Sequence, residues 1–330
     1  MELASPDGLK LNWTHQGDNR DLLKLLPNDS VALSIWSPPY FVGKSYEEGL
    51  SVGEWSALLH AVIAEHARVL KPGGFMAINI ADILAFADDS IPRFQADVVS
   101  TKRSQVTREQ VLQAKSEHPG MNRYELAALL GCSEQTIQRR LDHNNVRGGK
   151  YKAQTRGRTV AGMLEEFALE SGLPMYDRRV WVKDPAWANS RWHSLSYRSV
   201  DEFEYVFIFW KPGITKVDRT RLTREEWVEW GSRGVWKFPS VRANDDHEAK
   251  FPEELPRRVI RLLSEPGDLV LDPFMGSGTS GMVAASLNRN FLGFELLPEY
   301  VALANQRTQM QQGSHEPDRS LDADGQPGAA

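Results

Sequence analysis

The feature that most constrains the fold is a run of three segments without a spacer. The apolar stretch Leu269–Leu271 enters the glycine-rich Asp272-Pro273-Phe274-Met275-Gly276-Ser277-Gly278-Thr279, and that turn opens a helix reaching Leu287. A second apolar run, Phe291–Glu295, follows at once and ends on an acid. Strand, tight turn, helix and strand in so short a span close readily as a parallel crossover, which places a helix on the face of a sheet. The alternation recurs. Val31–Trp36 reads as a buried strand, Trp55–Leu70 as a helix, and Gly74–Ile80 as a strand after the turn Lys71-Pro72-Gly73-Gly74. Val160–Ser171, Glu253–Ser264 and Pro298–Met310 read as helices, Arg178–Lys183 and Glu204–Trp210 as strands. The expected fold is α/β, a doubly wound, mostly parallel sheet with helices on both faces.

Residues 101–160 break this pattern, with no strand-like run and a charge unlike the rest. They hold 12 Lys and Arg against five acids, whereas the whole 330-residue chain has a net charge of −5. A polyanion is drawn to such a region because neutralised phosphates release counterions. Thr107-x-x-Gln110 and Asn122-x-x-Glu125 are capping boxes, and Gly131-Cys132-Ser133 turns the chain into a third short helix. Helix, glycine-containing turn and helix form the helix-turn-helix pattern. The third helix carries Gln135, Thr136, Gln138, Arg139 and Arg140 outward, with Ile137 and Leu141 inward. Such polar side chains read base edges in a major groove. The stretch after it, rich in glycine and basic, supplies Arg147, Lys150, Lys152, Arg156 and Arg158 to phosphates, and Arg198 sits in an aromatic and basic loop with Trp187, Trp192, His193 and Tyr197.

Two constellations carry chemistry. At the turn after Leu271, Gly276 and Gly278 allow close approach of the backbone to a ligand, and Glu295 can accept two bonds from ribose hydroxyls. The spacing is neither that of the dinucleotide fingerprint nor that of a P-loop. Ser37-Pro38-Pro39-Tyr40 follows the strand Val31–Trp36 directly, at the carboxyl edge where open α/β sheets bind ligands. Its prolines leave carbonyls without partnering N–H groups, Ser37 adds a hydroxyl acceptor, and Tyr40 offers a flat face for a planar ring. Together they suit an exocyclic amino group on an aromatic base.

In this order the two motifs resemble the signatures of the S-adenosylmethionine-dependent amino-DNA methyltransferases, in the permuted arrangement of the β class with the catalytic motif first. Gly17-Asp18, Arg68–Gly74 and His247–Pro256 resemble further segments of that family. The resemblance implies a Rossmann-like methyltransferase fold and S-adenosylmethionine held by Asp18, Asp272, Pro273, Phe274, Gly276, Ser277, Gly278, Thr279 and Glu295. It also implies a base gripped by Ser37, Pro38, Pro39 and Tyr40. Serine at position 37 is more typical of cytosine-N4 than of adenine-N6 enzymes, which leaves adenine-N6 as the nearer alternative and a non-catalytic helix-turn-helix regulator as the further one. Cytosine-C5 chemistry needs a nucleophilic cysteine beside a proline, and the sole cysteine, Cys132, lies in the helix-turn-helix turn.

The expected organisation is a catalytic half in residues 1–99, an inserted small all-α helix-turn-helix domain in 100–159, and the remainder of the methyltransferase domain in 160–312. A target-recognition segment is expected near 211–246, and 313–330 is expected to be a disordered tail. Trp227, Trp230 and Trp236 are expected to pack. His15, His60, His66, His118 and His143 share no spacing with cysteines or acids that would make a metal site. The longest unbroken apolar stretch, Tyr205–Trp210, is far below the ~20 residues of a membrane span. No secretory signal is legible in Met1–Lys10, so the expected location is cytoplasmic, on double-stranded DNA, with a cognate restriction endonuclease as a partner. The oligomeric state is left open, a homodimer being one option.

Overall fold

The computed structural model describes residues 8–40, 51–84, 104–142, 157–185, 199–241 and 252–313. Two compact units emerge, one of Met1–Ile83, Gly157–Asp184 and Glu202–Ala330, the other of Leu84–Arg156 and Pro185–Asp201.

In chain order the strands are β1 (Trp13–Gln16), β2 (Val31–Trp36), β3 (Leu70–Ile80), β4 (Ile83–Leu84), β5 (Gly157–Arg158), β6 (Met175–Val182), β7 (Phe203–Trp210), β8 (Val235–Lys237), β9 (Leu269–Asp272) and β10 (Asn290–Glu295). The helices are α1 (Asn19–Leu22), α2 (Val52–Val69), α3 (Arg108–Glu117), α4 (Arg123–Leu129), α5 (Glu134–Leu141), α6 (Ala161–Glu170), α7 (Arg224–Glu226), α8 (Glu254–Leu263), α9 (Thr279–Ser286) and α10 (Pro298–Gly313). Eight strands form one sheet in the order β1-β10-β9-β2-β3-β7-β6-β8, and β4 pairs with β5. Among the described residues of the large sheet, only β7 runs against its neighbours.

Every residue of β2 is buried, as a strand covered on both faces requires. Trp36, Met76, Ile78 and Phe207 join Trp55, Leu59 and Ile63 of α2 and Leu164 of α6 in one core. Leu33, Ile35, Phe75, Ala77 and Ile208, which alternate with them along the strands, join Val259 and Ile260 of α8 and Val283 of α9 in a second. The strand β3 begins at Leu70, earlier than the sequence suggests, because the Lys71–Gly74 turn is folded into the ladder across a register shift against β2. Gly73 is what permits this: its φ is +84°, and a Cβ there would lie 2.2 Å from the Ile214 carbonyl oxygen.

The crossover β2-α2-β3 proceeds to one side and β9-α9-β10 to the other, while β2 and β9 are hydrogen-bonded neighbours. Their carboxyl ends therefore flank the topological switch point, where open α/β sheets hold ligands.

In the smaller unit, Thr107 and Asn122 form capping boxes at the starts of α3 and α4, and Ser133 caps α5. Val111, Ala114, Leu126, Ala127 and Ile137 make its core. Gly131 takes a φ of +61° at the turn between α4 and α5. Of the expected tail, 313–330, Gly313 instead ends α10 and 314–330 lie outside the described residues.

Candidate active site at the switch point

Four neighbouring strands deliver the residues in question. Asp18 follows β1, Glu295 ends β10, Asp272 ends β9 and Ser37 follows β2, with registers Gln16↔Glu295, Gly293↔Asp272 and Ser34↔Leu271. At about 4.8 Å between strands, the row spans about 14 Å of sheet edge, room for an elongated ligand.

Glu295 is suited to the ribose role. Gly276 N donates to its Oε2 at 2.9 Å and Leu297 N to its Oε1 at 3.0 Å. Each carboxylate oxygen keeps capacity for a further donor, as a vicinal diol supplies. Burial lifts its pKa above the usual carboxylate range, so additional donors to the charged form would be stabilising.

Other expected cofactor residues shape the loop from within. Asp272 is fully buried, accepting from Phe274 N at 2.9 Å and from the Ser280 hydroxyl. The Pro273 carbonyl accepts from Asn19 Nδ2 at 3.0 Å, which ties α1 to the loop. Phe274 rests its ring 5.2 Å from that of Trp36. Ser277 is buried and receives the Arg307 guanidinium on both its carbonyl, at 2.8 Å, and its hydroxyl, at 2.9 Å. Thr279, also buried, starts α9. Gly276 has a φ of +52°. At Gly278 the close approach is that of α10 rather than of a ligand, since a Cβ there would lie 2.8 Å from Ala304 Cα. Asp18 caps α1 and pairs with Arg20, whose hydrogen bond holds its carboxyl below the usual range.

The buried acid Asp272 and the buried His66 imply opposite pH dependences. Burial lifts Asp272 from 3.8 to about 7, so the folded state holds its proton more strongly, and this contribution to stability falls as pH rises across that window. His66 is lowered from 6.5 to about 4 by burial, so its contribution rises with pH between those values. Asp272→Asn should therefore uncover the His66 dependence, losing more stability than the parent chain between pH 6.5 and 4.5 in urea titrations. Parallel losses in the two proteins would contradict it.

On the other side of the switch point, Trp55 Nε1 donates to the Pro39 carbonyl at 2.7 Å and fixes the tetrapeptide to α2. Ser37 Oγ donates to Tyr40 Oη at 3.0 Å. The Tyr40 hydroxyl also lies 2.8 Å from Glu204 Oε2, 3.1 Å from the Asn79 carbonyl and 3.2 Å from Asn79 Oδ1. Glu204 pairs in turn with Lys183. Sequence reasoning missed Asn79, Lys183 and Glu204. The signal for Glu204 was an acid at the start of the apolar run that forms β7, where a charge is buried only with partners.

The segment near 211–246 is divided by the fold. β7 runs antiparallel to β3, so it leaves the chain at the amino edge of the sheet, away from Ser37. There the Lys211 carbonyl accepts from Gly73 N and Lys211 N donates to the Gly74 carbonyl of the β3 turn, and Arg221 pairs with Glu265 ahead of β9. Only beyond β8, parallel to β6, does the chain head back toward the site edge. Trp230 and Trp236 pack as expected, whereas Trp227 is 52% exposed.

In the smaller unit, Gln135, Gln138 and Arg139 are exposed on α5, and Thr136 is half-buried beside Ser133. Arg140, expected to face outward, donates from Nε to the Val106 carbonyl at 3.0 Å, which gives it a part in the packing of this unit. Arg147, Lys150, Lys152, Arg156 and Arg198 lie outside the described residues, with the aromatic loop around Arg198 and with His247; the side chain of Arg158 is likewise not described. Burial pushes the Cys132 thiol up in pKa, away from nucleophilic use.

The acid Glu295 at the end of β10 and the Ser37–Tyr40 turn after β2 thus stand on either side of the switch point of an open α/β sheet. The chain belongs to the DNA methylase family, whose model matches residues 31–306, and whose members methylate exocyclic amino groups, N6 of adenine or N4 of cytosine. Its cofactor is S-adenosylmethionine. The type II methyltransferase M.BglI of Bacillus subtilis is 56% identical over 301 residues, covering 91% of this chain and 86% of that one. The type II methyltransferase M.XycI of Xanthomonas campestris pv. cyanopsidis is 30% identical over 90% of this chain and 87% of its own. Two solved structures share the fold. A DNA modification methylase from Thermus thermophilus, complexed with S-adenosyl-L-methionine, superposes with a TM-score of 0.58 at 24% identity, covering 91% of this chain and 93% of that one. The cytosine-N4-specific PvuII DNA methyltransferase gives 0.56 at 21%, covering 96% and 92%. Among the described residues no helix is long and apolar enough to cross a membrane.

Proposed function

We propose that this methyltransferase is site-specific and transfers its methyl group to N4 of cytosine in double-stranded DNA, after the base is flipped out of the helix. The observation that carries the reading is the position of Ser37, whose hydroxyl sits at the carboxyl end of β2 with its proton directed to Tyr40. An aromatic amine is a poor nucleophile because its lone pair is conjugated with the ring. Ser37 Oγ and the Pro38 carbonyl each accept a hydrogen bond from the amine and so localise that pair, and the one proton that the methylated nitrogen sheds leaves to solvent. S-adenosylmethionine supplies an electrophilic methyl on a sulfonium, and the rest of the chain's task is alignment and water exclusion. Glu295 would hold the ribose hydroxyls, with the 272–279 turn giving the cofactor its floor. Tyr40 would stack on the flipped base, replacing the neighbouring bases it leaves behind in the duplex.

DNA contacts outside the pocket fall to α5, with Gln135, Gln138 and Arg139 toward the groove, and to the basic stretch through Arg158. Arg139→Ala should weaken DNA binding and reduce the slope of log affinity against log salt by about 1 if the guanidinium meets a phosphate. An unchanged affinity in fluorescence titrations across salt would remove α5 from the interface. By analogy with type II relatives, the enzyme acts in the bacterial or archaeal cytoplasm and shares its site with a restriction endonuclease.

The reading is tested by expressing the chain in a bacterium that lacks DNA methylation and mapping modified positions in its plasmid. N4-methylcytosine at one recurring sequence is the expected outcome. N6-methyladenine would overturn the choice of base, and an unmodified plasmid would favour a DNA-binding regulator.

A further inference from the structure

Among the described residues, four polar groups stand within hydrogen-bond distance of Tyr40 Oη, and what each can give or take follows from its chemistry. The Glu204 carboxylate, the Asn79 carbonyl and Asn79 Oδ1 only accept, and the amide orientation of Asn79 is set by its Nδ2 donating to the Tyr205 carbonyl at 3.0 Å. A phenol has one proton to give, and the shortest of these contacts, 2.8 Å, is to the charged group, Glu204 Oε2. Of the four, Ser37 alone brings a proton, at 3.0 Å.

We propose that Glu204, held by Lys183, is a positioning residue for methyl transfer. By drawing the Tyr40 proton to itself it makes Tyr40 Oη an acceptor for Ser37, which turns the Ser37 lone pairs toward the substrate amine. The inference rests on the function proposed above.

The chemistry explains why such control is needed. A serine hydroxyl both donates and accepts. Beside a cytosine it faces an amine that must be relieved of a proton and, one atom away, a ring nitrogen that would welcome one. A Ser37 whose own proton is free to swing to the ring nitrogen no longer accepts from N4. Anchoring that proton on Tyr40 removes the alternative before the base arrives, so the orientation is set in advance.

The sheet builds this chain of bonds across four neighbouring strands. Ser37 and Tyr40 follow β2, Asn79 is near the end of β3, and Glu204 lies at the start of β7, next to the register pair Ile80↔Tyr205. Lys183 follows β6, just past the pair Val182↔Phe203. Glu204 is 6% exposed, and a carboxylate so placed is tolerable only with its charge countered, which Lys183 does through Oε1 while Oε2 stays with Tyr40.

The test is a double-mutant cycle on the full chain with single-turnover methyl transfer as the readout. Tyr40→Phe removes one oxygen and leaves both the ring and the Glu204–Lys183 pair, so it keeps the test open even if Glu204→Gln folds poorly. Each variant is expected to slow transfer about 10- to 100-fold with S-adenosylmethionine and DNA affinity near those of the parent, and Tyr40→Phe is expected to keep the parent's thermal midpoint as well. The double variant should be no slower than the slower single one, and in a Ser37→Ala background Glu204→Gln should have no further effect. Parent-like transfer in Tyr40→Phe, additive losses, or a loss confined to DNA affinity or thermal midpoint would each overturn the proposal. A parent enzyme that methylates adenine N6 overturns the choice of base alone, and one that methylates neither base overturns both.

Discussion

Gly278→Ala should leave the protein less stable by about 2–4 kcal/mol and strip it of most of its affinity for S-adenosylmethionine. Gly278 caps α9 with a φ of +86°, a region that an L side chain enters at about 1–2 kcal/mol. A methyl there would also meet Ala304 Cα at 2.8 Å and its carbonyl oxygen at 3.2 Å, so α9 and α10 must part. Met275, Gly276 and Ser277 hang between β9 and this cap, and Ser277 is tied to α10 through Arg307. Displacing α10 therefore displaces the 272–279 turn, the proposed floor of the cofactor site, and with it the Gly276 N–H bonded to Glu295. Urea titration and calorimetry with S-adenosylmethionine measure the two effects. Cofactor bound with undiminished affinity would move the site away from the turn.

Tyr40→Ala should have the opposite signature, a loss of methyl transfer of about 100- to 1,000-fold with cofactor affinity changed by less than about twofold. The variant removes the ring on which a flipped base would stack, worth about 1–3 kcal/mol in comparable complexes, together with the acceptor for the Ser37 proton. Tyr40 bonds to Ser37, Asn79 and Glu204, none of which belongs to the 272–279 turn. Single-turnover transfer and cofactor calorimetry on the same preparation separate these terms. Equal losses in both would place Tyr40 against the cofactor instead of the base. Comparing Tyr40→Ala with Tyr40→Phe divides the ring from the hydroxyl.

Much of the fold was legible because its signals are local. β2, β9 and β10 announce themselves as apolar runs, and the turns at 71–74 and 272–279 punctuate the chain with prolines and glycines. Capping boxes at Thr107 and Asn122 marked helix starts to the residue. What the sequence could not convey was partnership across strands. Asp272 and Ser277 look like ligand contacts in the motif, yet each is bonded within the protein, to Ser280 and to Arg307. Arg140 reads as an outward base on a helix, but its guanidinium reaches back 34 residues to Val106. Lys183, Glu204 and Tyr40 are far apart in the chain, Tyr40 and Glu204 by 164 positions, and meet because β7 reverses direction beside β3. The same reversal carries residues after Trp210 to the amino edge, which no local pattern in 211–246 reveals.

One measurement reaches the central claim most directly. The purified chain is incubated with S-adenosylmethionine carrying a deuterated methyl group and with unmethylated double-stranded DNA of varied sequence, and the nucleosides are then identified by mass spectrometry. Deuterium-labelled N4-methylcytosine is the expected product, and its loss in Ser37→Ala, with cofactor still bound, would assign the acceptor role to that hydroxyl. Labelled N6-methyladenine in its place, or no labelled nucleoside at all, would contradict a cytosine-N4 methyltransferase built around Ser37.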